Sequence, residues 1–520
     1  MSEVDNRNLS GFDTATSNPI EAQARANYAK APIPEIPVAD FHVLGGLLFA
    51  DGPVNETKWK FLPRGAAEYA INEKMVVRGG VGLFSYDYFF ENINQAGFSQ
   101  PTAIITSLDN GVTFTGANLT NPIPNGQLTQ PVGSALGLQS QLGQNLGTIY
   151  QPDRQTPYYT RWEMSVQRDL GLGFVAAATY LGSRGSSLPV VQSVNNIPIQ
   201  YLSTSRTRDN AVETALTQAV ANPFIGLAPG SATNTATTVQ KMQLLRPYPE
   251  FGTFAIEKYV GSDRYSALTL QLDKRFRSGN SFTMQYTHSS LRDKLNYLNP
   301  ADGQLEDRVS PNDRPNRFSV GGSVRLPFGR EEKWGREWNG ATDALAGGWQ
   351  VSGTYQYQSG FPLTFTNNIY WDASCGNPSS LVSNIGEKVS GGIAGLDVPG
   401  WDTKCFYFHD AAVQTNGVDD PAKQRTDPRI NLNNNVRYFP STLPDVRSDN
   451  LHLLDMGLYK NFSLPREMKL QVRFEWINAL NYTVLWSPGV DPKATNGLFG
   501  IVNTDRNNPR DLQIGLRLTF

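Results

Sequence analysis

The side chains that most often carry chemistry are few in this chain and far apart. Its four histidines, His42, His288, His409 and His452, fall at no spacing that suits a zinc site. His288 follows an alternating segment and reads as a residue of a polar lumen or its rim. Asp419, Asp420 and Asp427 cluster carboxylates as a calcium ion would require, although a solvated acidic loop has the same composition and is the reading preferred. Cys375 and Cys405 share one polar segment. In an exported protein they would close a disulfide, and in a reducing compartment they would stay thiols. Tyr86, Tyr88, Phe89 and Phe90, and likewise Tyr370 and Trp371, offer stacking faces for a ligand or else pack at an interface or inside a loop. No glycine-rich phosphate cradle, nucleophile elbow or paired-cysteine metal motif is present. The expectation is a protein that is not an enzyme and needs neither metal nor cofactor.

Composition narrows what could position these residues. Charged residues make up 18% of the chain, below the roughly 25% of an ordinary soluble protein. Its 47 glycines, 21 tyrosines and 26 phenylalanines suit strands and loops better than helices. A net charge of −2 gives no reason to expect nucleic acid as a partner. No apolar run is long enough for a transmembrane helix.

The stretch with the clearest pattern is the last one. From Leu512 to Phe520 every even position is apolar, and every odd one is polar or glycine. That is a strand with one greasy and one wet face. The same alternation recurs upstream. Ala67, Tyr69 and Ile71 lead through Asn72-Glu73-Lys74 to Val77, Gly79, Val81 and Leu83. Trp162, Met164 and Val166 lead through Gly171-Leu172-Gly173 to Phe174–Leu181. Leu268, Leu270 and Leu272 lead through Ser278-Gly279-Asn280 to Phe282, Met284 and Tyr286. Phe318–Leu326 and Trp349–Tyr357 form a further pair. Leu454, Met456 and Leu458 lead through Leu464-Pro465-Arg466 to Met468–Trp476, with Lys460 interrupting the apolar face near a strand end.

These segments have the length of tilted strands that cross a bilayer. Tight turns alternate with long excursions at 87–157, 184–262, 291–314, 359–450 and 481–509. Short turns on one side and long loops on the other is the asymmetry of outer-membrane barrels. Compact soluble domains rarely hold several structureless loops of this size. The fold class expected is therefore all-β: an antiparallel transmembrane β-barrel with short periplasmic turns and long extracellular loops. A soluble sandwich with a solvated face is the competing reading, and it demands shorter loops.

Counting gives about eleven spanning strands, whereas single-chain bacterial barrels have an even number. The first residues carry neither a basic nor an apolar leader region. Together these predict a partial barrel, truncated at its N-terminus. Residues 1–64 would form an extracellular loop region with a short strand near 42–50. Residues 65–520 would form the C-terminal part of the barrel. Residues 1–40 read as proline-dotted loop. Two unpaired edges predict that the chain alone does not insert as a closed pore.

Several motifs resemble the C-terminal barrel half of TonB-dependent receptors, in the Oar-like group that carries a carboxypeptidase-regulatory-like domain. They include Phe61-Leu62-Pro63-Arg64-Gly65, Arg161-Trp162-Glu163-Met164-Ser165-Val166-Gln167-Arg168 and Tyr180-Leu181-Gly182-Ser183-Arg184-Gly185. Tyr265-Ser266-Ala267-Leu268 with Lys274-Arg275-Phe276, and Arg473-Phe474-Glu475-Trp476-Ile477-Asn478-Ala479-Leu480-Asn481, add to these, as does the terminal strand. The resemblance implies about 11 of about 22 strands in a plugged, gated transporter. It also implies outer-membrane lipid and the barrel assembly machinery as partners, the latter reading Gly515, Leu516, Leu518 and Phe520. A TonB complex would act through a plug and box absent from this sequence. The substrate, a bulky extracellular nutrient, stays unnamed because the matching motifs are scaffold strands. Other readings are a passive porin-like or structural barrel, and a secreted β-rich binding protein.

Overall fold

A computed structural model describes residues 9–50, 59–85, 133–150, 155–229, 231–275, 280–330, 332–378, 381, 398–399, 403–464, 468–502 and 504–520, with isolated positions at 112–113, 116, 118 and 120–121. Tyr86, Tyr88, Phe89, Phe90 and parts of the turns at 278–279 and 465–466 lie outside the described residues.

Eleven strands follow one another as an antiparallel meander, each bonded to its sequence neighbours along the path. They are β1 (Arg64–Asn72), β2 (Met75–Ser85), β3 (Tyr158–Gly171), β4 (Phe174–Ser193), β5 (Phe254–Arg275) and β6 (Ser281–Lys294). β7 (Asn316–Arg325), β8 (Trp349–Gln358), β9 (Leu451–Ser463), β10 (Lys469–Ile477) and β11 (Asp511–Thr519) complete the path. Two short strands, Gly147–Tyr150 and Arg308–Val309, join the sheet beside β5 and β6. The sheet does not close: among the described residues β1 pairs only with β2, and β11 only with β10.

Period two explains the meander. One face presents Tyr69, Val81, Met164, Leu268, Leu270, Val324, Met456, Ile514 and Leu516, all exposed. The other carries a row of polar side chains, so a shift of one residue would invert both faces. Turn chemistry fixes that register. Between β3 and β4, Gly171, Leu172 and Gly173 all take positive φ, and Asp169 Oδ1 accepts the Gly171 N–H at 2.7 Å. Gly182 on β4 lies opposite Trp162 on β3, and a Cβ there would sit 2.1 Å from the indole. Glycine is what lets the ring lie flat on the sheet.

β4 and β5 are longer than the alternation suggests, at 20 and 22 residues. They continue beyond the spanning part, through bulges near Lys258 and Gly261, into the long excursions. Those excursions are not structureless. Residues 9–17 form a strand paired with Leu44–Phe49, and Glu21–Tyr28 is a helix, where the sequence reads as loop. The helix has no capping side chain at Ile20 and buries only Ala24 and Tyr28, so neither cap nor periodicity announces it.

The excursions pack into two hydrophobic cores on the long-loop side. One gathers Phe12, Tyr28, Phe41, Leu47, Phe224 and Phe251, with Tyr28 and Phe41 stacked at 4.0 Å. The other gathers Phe365, Trp371, Phe406, Phe439 and Phe499. Main-chain bonds from Ser203 N to Asn434 O, Val436 N to Ser203 O and Arg208 N to Arg429 O stitch the two into one crown.

Candidate functional site

Two surfaces are placed to meet a solute: the polar face of the meander and the crown above it. On the polar face, side chains bond across and along strands. Arg78 Nε donates to Glu68 at 3.1 Å and its Nη1 to Gln167 at 2.7 Å. Asp273 accepts from Gln271 and Thr283, both at 2.6 Å. The Tyr459 hydroxyl donates to Glu475 at 3.2 Å, and Arg473 to Gln471 at 2.7 Å. In the middle of this ladder the rows Gly321–Thr354–Asp455 and Ser323–Ser352–Gly457 run across β7, β8 and β9. Their short side chains leave a hollow of about 1110 Å³, lined among others by Gln167, Gln271, Asp273, Thr283, Glu475 and Gln513. Asp273, Asp455 and Glu475 against Lys274 give its lining a mildly acidic balance.

Lys460, which interrupts the outward pattern, has a local cause. It sits opposite Trp349 at the short-turn end of β8. Its Nζ donates to the carbonyls of Gly347 and Asp343, at the C-terminal end of the helix Gly340–Ala346, where a cation complements the unpaired carbonyls.

In the crown, Cys375 and Cys405 are bridged across a sequence separation of 30. Trp371 is buried edge-on to Phe406 at 5.0 Å, and Tyr370 stacks on Phe408 at 4.4 Å. Both rings pack inside the loop rather than offering a free stacking face, and burial raises the Tyr370 hydroxyl to about 12. Arg429 lies 3.9 Å over the Phe408 ring and bonds both Asp410 and Asp427. Asp420 caps the helix Pro421–Thr426, and Asp427 caps the short turn after it. Asp419 accepts from His409 Nδ1 at 2.5 Å, which raises the imidazole pKa and lowers that of the carboxyl. The three aspartates therefore spend their oxygens on caps and cations. Among the described residues, no three His, Cys, Asp or Glu side chains assemble as a metal site. The histidines stay apart: His42 contacts Glu21, His288 contacts Asn316 and His452 contacts Tyr355.

The terminal strand places Gly515 on the polar face against Arg473, with Leu516 and Leu518 outward and Phe520 fully exposed. Sequence reasoning missed the crown's buried polar groups. Asp293 pairs with Arg308 at 2.9 Å, and Asp313 with Arg447 at 2.8 Å. Glu250 is buried with neither carboxylate oxygen hydrogen-bonded among the described residues, and desolvation raises its pKa well above the usual carboxylate range. Ion pairs that form across distant loops leave no periodic signal.

A family model for the outer membrane beta barrel domain matches residues 1–513. The chain belongs to that family. Its place is the outer membrane, and the exposed apolar face of the meander is its lipid surface. Among solved structures, the outer membrane transporter YddB from Escherichia coli matches at 11% identity and TM-score 0.34, over 87% of this chain and 39% of that one. The FrpB iron transporter from Neisseria meningitidis matches at 10% identity and TM-score 0.34, over 91% and 41%. The ferric yersiniabactin uptake receptor FyuA from Yersinia pestis matches at 9% identity and TM-score 0.32, over 91% and 38%. The barrel domain thus spans well under half the length of each. Comparison with curated proteins gives no match. Among the described residues no helix is long and apolar enough to cross a membrane, which says nothing of strands.

Proposed function

We propose that this outer membrane β-barrel domain serves a receptor of the TonB-dependent kind. In this reading the crown captures a bulky extracellular solute, and the polar face passes it inward when a plug moves under energy from a TonB complex. The work is binding and transport, not bond chemistry. The observation that carries it is the pairing of a hollowed, hydrogen-bonded polar face with a crown that has hydrophobic cores of its own. A crown with its own cores can hold a defined recognition surface, which a floppy loop cannot.

Residues 1–64 would then belong to the extracellular loops and 65–520 to the barrel wall, with short turns periplasmic. The outer edges of β1 and β11, unpaired among the described residues, support a wall completed by further strands, because lipid leaves exposed backbone groups without partners. The terminal strand, with Gly515, Leu516, Leu518 and Phe520, would be the element read by the barrel assembly machinery.

The test is conductance. The receptor reading expects that the protein purified from outer membranes gives no stable open level in planar bilayers. It also expects co-purification of a TonB complex after cross-linking in energised cells. A reproducible open channel with no such complex would replace the receptor with a passive pore.

A further inference from the structure

Cross-strand register brings together cations that are scattered in sequence. Arg184 of β4, Arg264 of β5 and Arg292 of β6 are direct partners in adjacent strands. They share the outward face with Tyr180, Leu268 and His288, which form another row on the same strands. One row further out, Lys294 stands opposite Ser262, and Ser262 opposite Ser186. Tyr158 continues that row, with Lys60 Nζ 4.6 Å from its ring centroid. Like charges placed directly opposite one another destabilise a sheet, and here two such contacts occur side by side.

Little among the described residues offsets them. Asp307 accepts from Arg292 at 2.9 Å and lies 3.7 Å from Lys294. Arg184 and Arg264 are exposed and form no ion pair among the described residues. Asp263 and Asp293, next in sequence, point to the opposite face by strand alternation.

Depth supplies the second argument. Lys274, at the short-turn end of β5, is ten residues from Arg264 on the same face. Ten residues span about 34 Å along a strand, or about 26 Å of height at a 40° tilt, close to the ~25 Å apolar band of outer-membrane barrels. Tyr180, opposite Leu268, lies in the arginine half of that span, the side on which an interfacial aromatic would stand. The arginine row therefore stands at headgroup depth on the long-loop side.

We propose that Arg184, Arg264 and Arg292 form a docking site for the phosphate groups of a phosphorylated, anionic lipid of the outer leaflet. The guanidinium fork matches two phosphate oxygens at once, and a phosphate seated between neighbouring arginines turns their repulsion into attraction. The site rests on the proposed orientation, with long loops outside.

The test uses the full chain extracted from outer membranes in a non-ionic detergent, with bound lipid phosphorus and native mass read per protein. Wild type retains the phosphorylated lipid. Arg184→Gln with Arg264→Gln weakens retention roughly 30-fold, whereas Arg168→Gln with Lys274→Gln at the other rim leaves it unchanged. Arg184→Lys with Arg264→Lys keeps part of the binding and controls for folding. A glutamine double variant that keeps heat-modifiable mobility and wild-type lipid content overturns the site. Orientation is read separately, by labelling Thr415→Cys in intact cells with an impermeant thiol reagent. Labelling with unchanged lipid content removes the lipid site alone. Protection from the reagent, with lipid lost only in the arginine variants, removes the orientation and leaves the phosphate site standing.

Discussion

The meander and the crown use the same apolar residue types in opposite ways. On the meander, Leu516 and Tyr69 are each 72% exposed and Ile514 is 67% exposed. In the crown, Phe251, Phe406 and Phe439 are wholly buried. The strands contribute little core of their own, because their apolar faces look away from the protein. The crown must hold itself together in water, and it does so with aromatic clusters, buried ion pairs and a bridge between Cys375 and Cys405. The difference teaches that two solvents act on one chain. Lipid selects the period-two face of each strand, and water selects the closed cores between them.

The strongest way to break the comparison is to empty the crown. Phe406→Ala removes a ring that touches Trp371, Phe439 and Phe499. The expected cost is about 3–5 kcal/mol, confined to the crown. Limited proteolysis should open the segment 403–447 while heat-modifiable mobility of the strands stays intact. If strand assembly fails as well, the two regions are one cooperative unit. Next in size is a charge on the lipid face. Leu270→Arg lies between Ala178 and Tyr286 at mid-strand and should cost about 2–4 kcal/mol. Its signature is lost membrane assembly, with normal proteolytic resistance of any crown that forms. A variant that assembles normally would mean that this face meets water.

The same division decides what was legible in the sequence. The eleven strands could be read because lipid on one side and polar neighbours on the other impose alternation residue by residue. Their turns were legible where glycine or asparagine forces the chain round, as at Gly171-Leu172-Gly173. Little of the crown was legible. Its strand Leu9–Ser17 pairs with a segment about 35 residues away, and its core residues come from excursions separated by whole hairpins. Lys460 looked like a pattern defect and is a helix-end cap. The outward row of Arg184, Arg264 and Arg292 needed register, since no two of them are close in sequence.

Glu250 sharpens the comparison by pH. Its folded pKa is raised above the ordinary 4.5, so the folded crown holds this proton more tightly than the unfolded chain does. The resulting stability is fully present below pH 4.5 and falls as pH rises from there through the folded value. Amide exchange in the crown should therefore quicken with rising pH beyond its intrinsic base catalysis, and the excess should vanish in Glu250→Gln. The meander's exchange should show no such excess. An unchanged profile in the variant would assign the slope to another group.

The smallest effect belongs to the rim of the crown, where His409 and Asp419 meet half in water. The histidine pKa is raised, chiefly by the bond to Asp419, so its contribution is complete below the ordinary 6.5 and fades as pH climbs through the folded value. The aspartate pKa is lowered, so its contribution is present above 3.8 and fades as pH falls. The pair thus works best between those limits. Because both groups are solvated and screened, His409→Ala should leave global unfolding unchanged and loosen only the turn around Asn416 and Gly417. Titration of the imidazole by nuclear magnetic resonance checks the sign: a midpoint at or below 6.5 would mean that the bond to Asp419 does not form in water. A raised midpoint that relaxes in Asp419→Asn would show that even the crown's edge is ordered by its own polar contacts, with no help from the membrane that orders the strands.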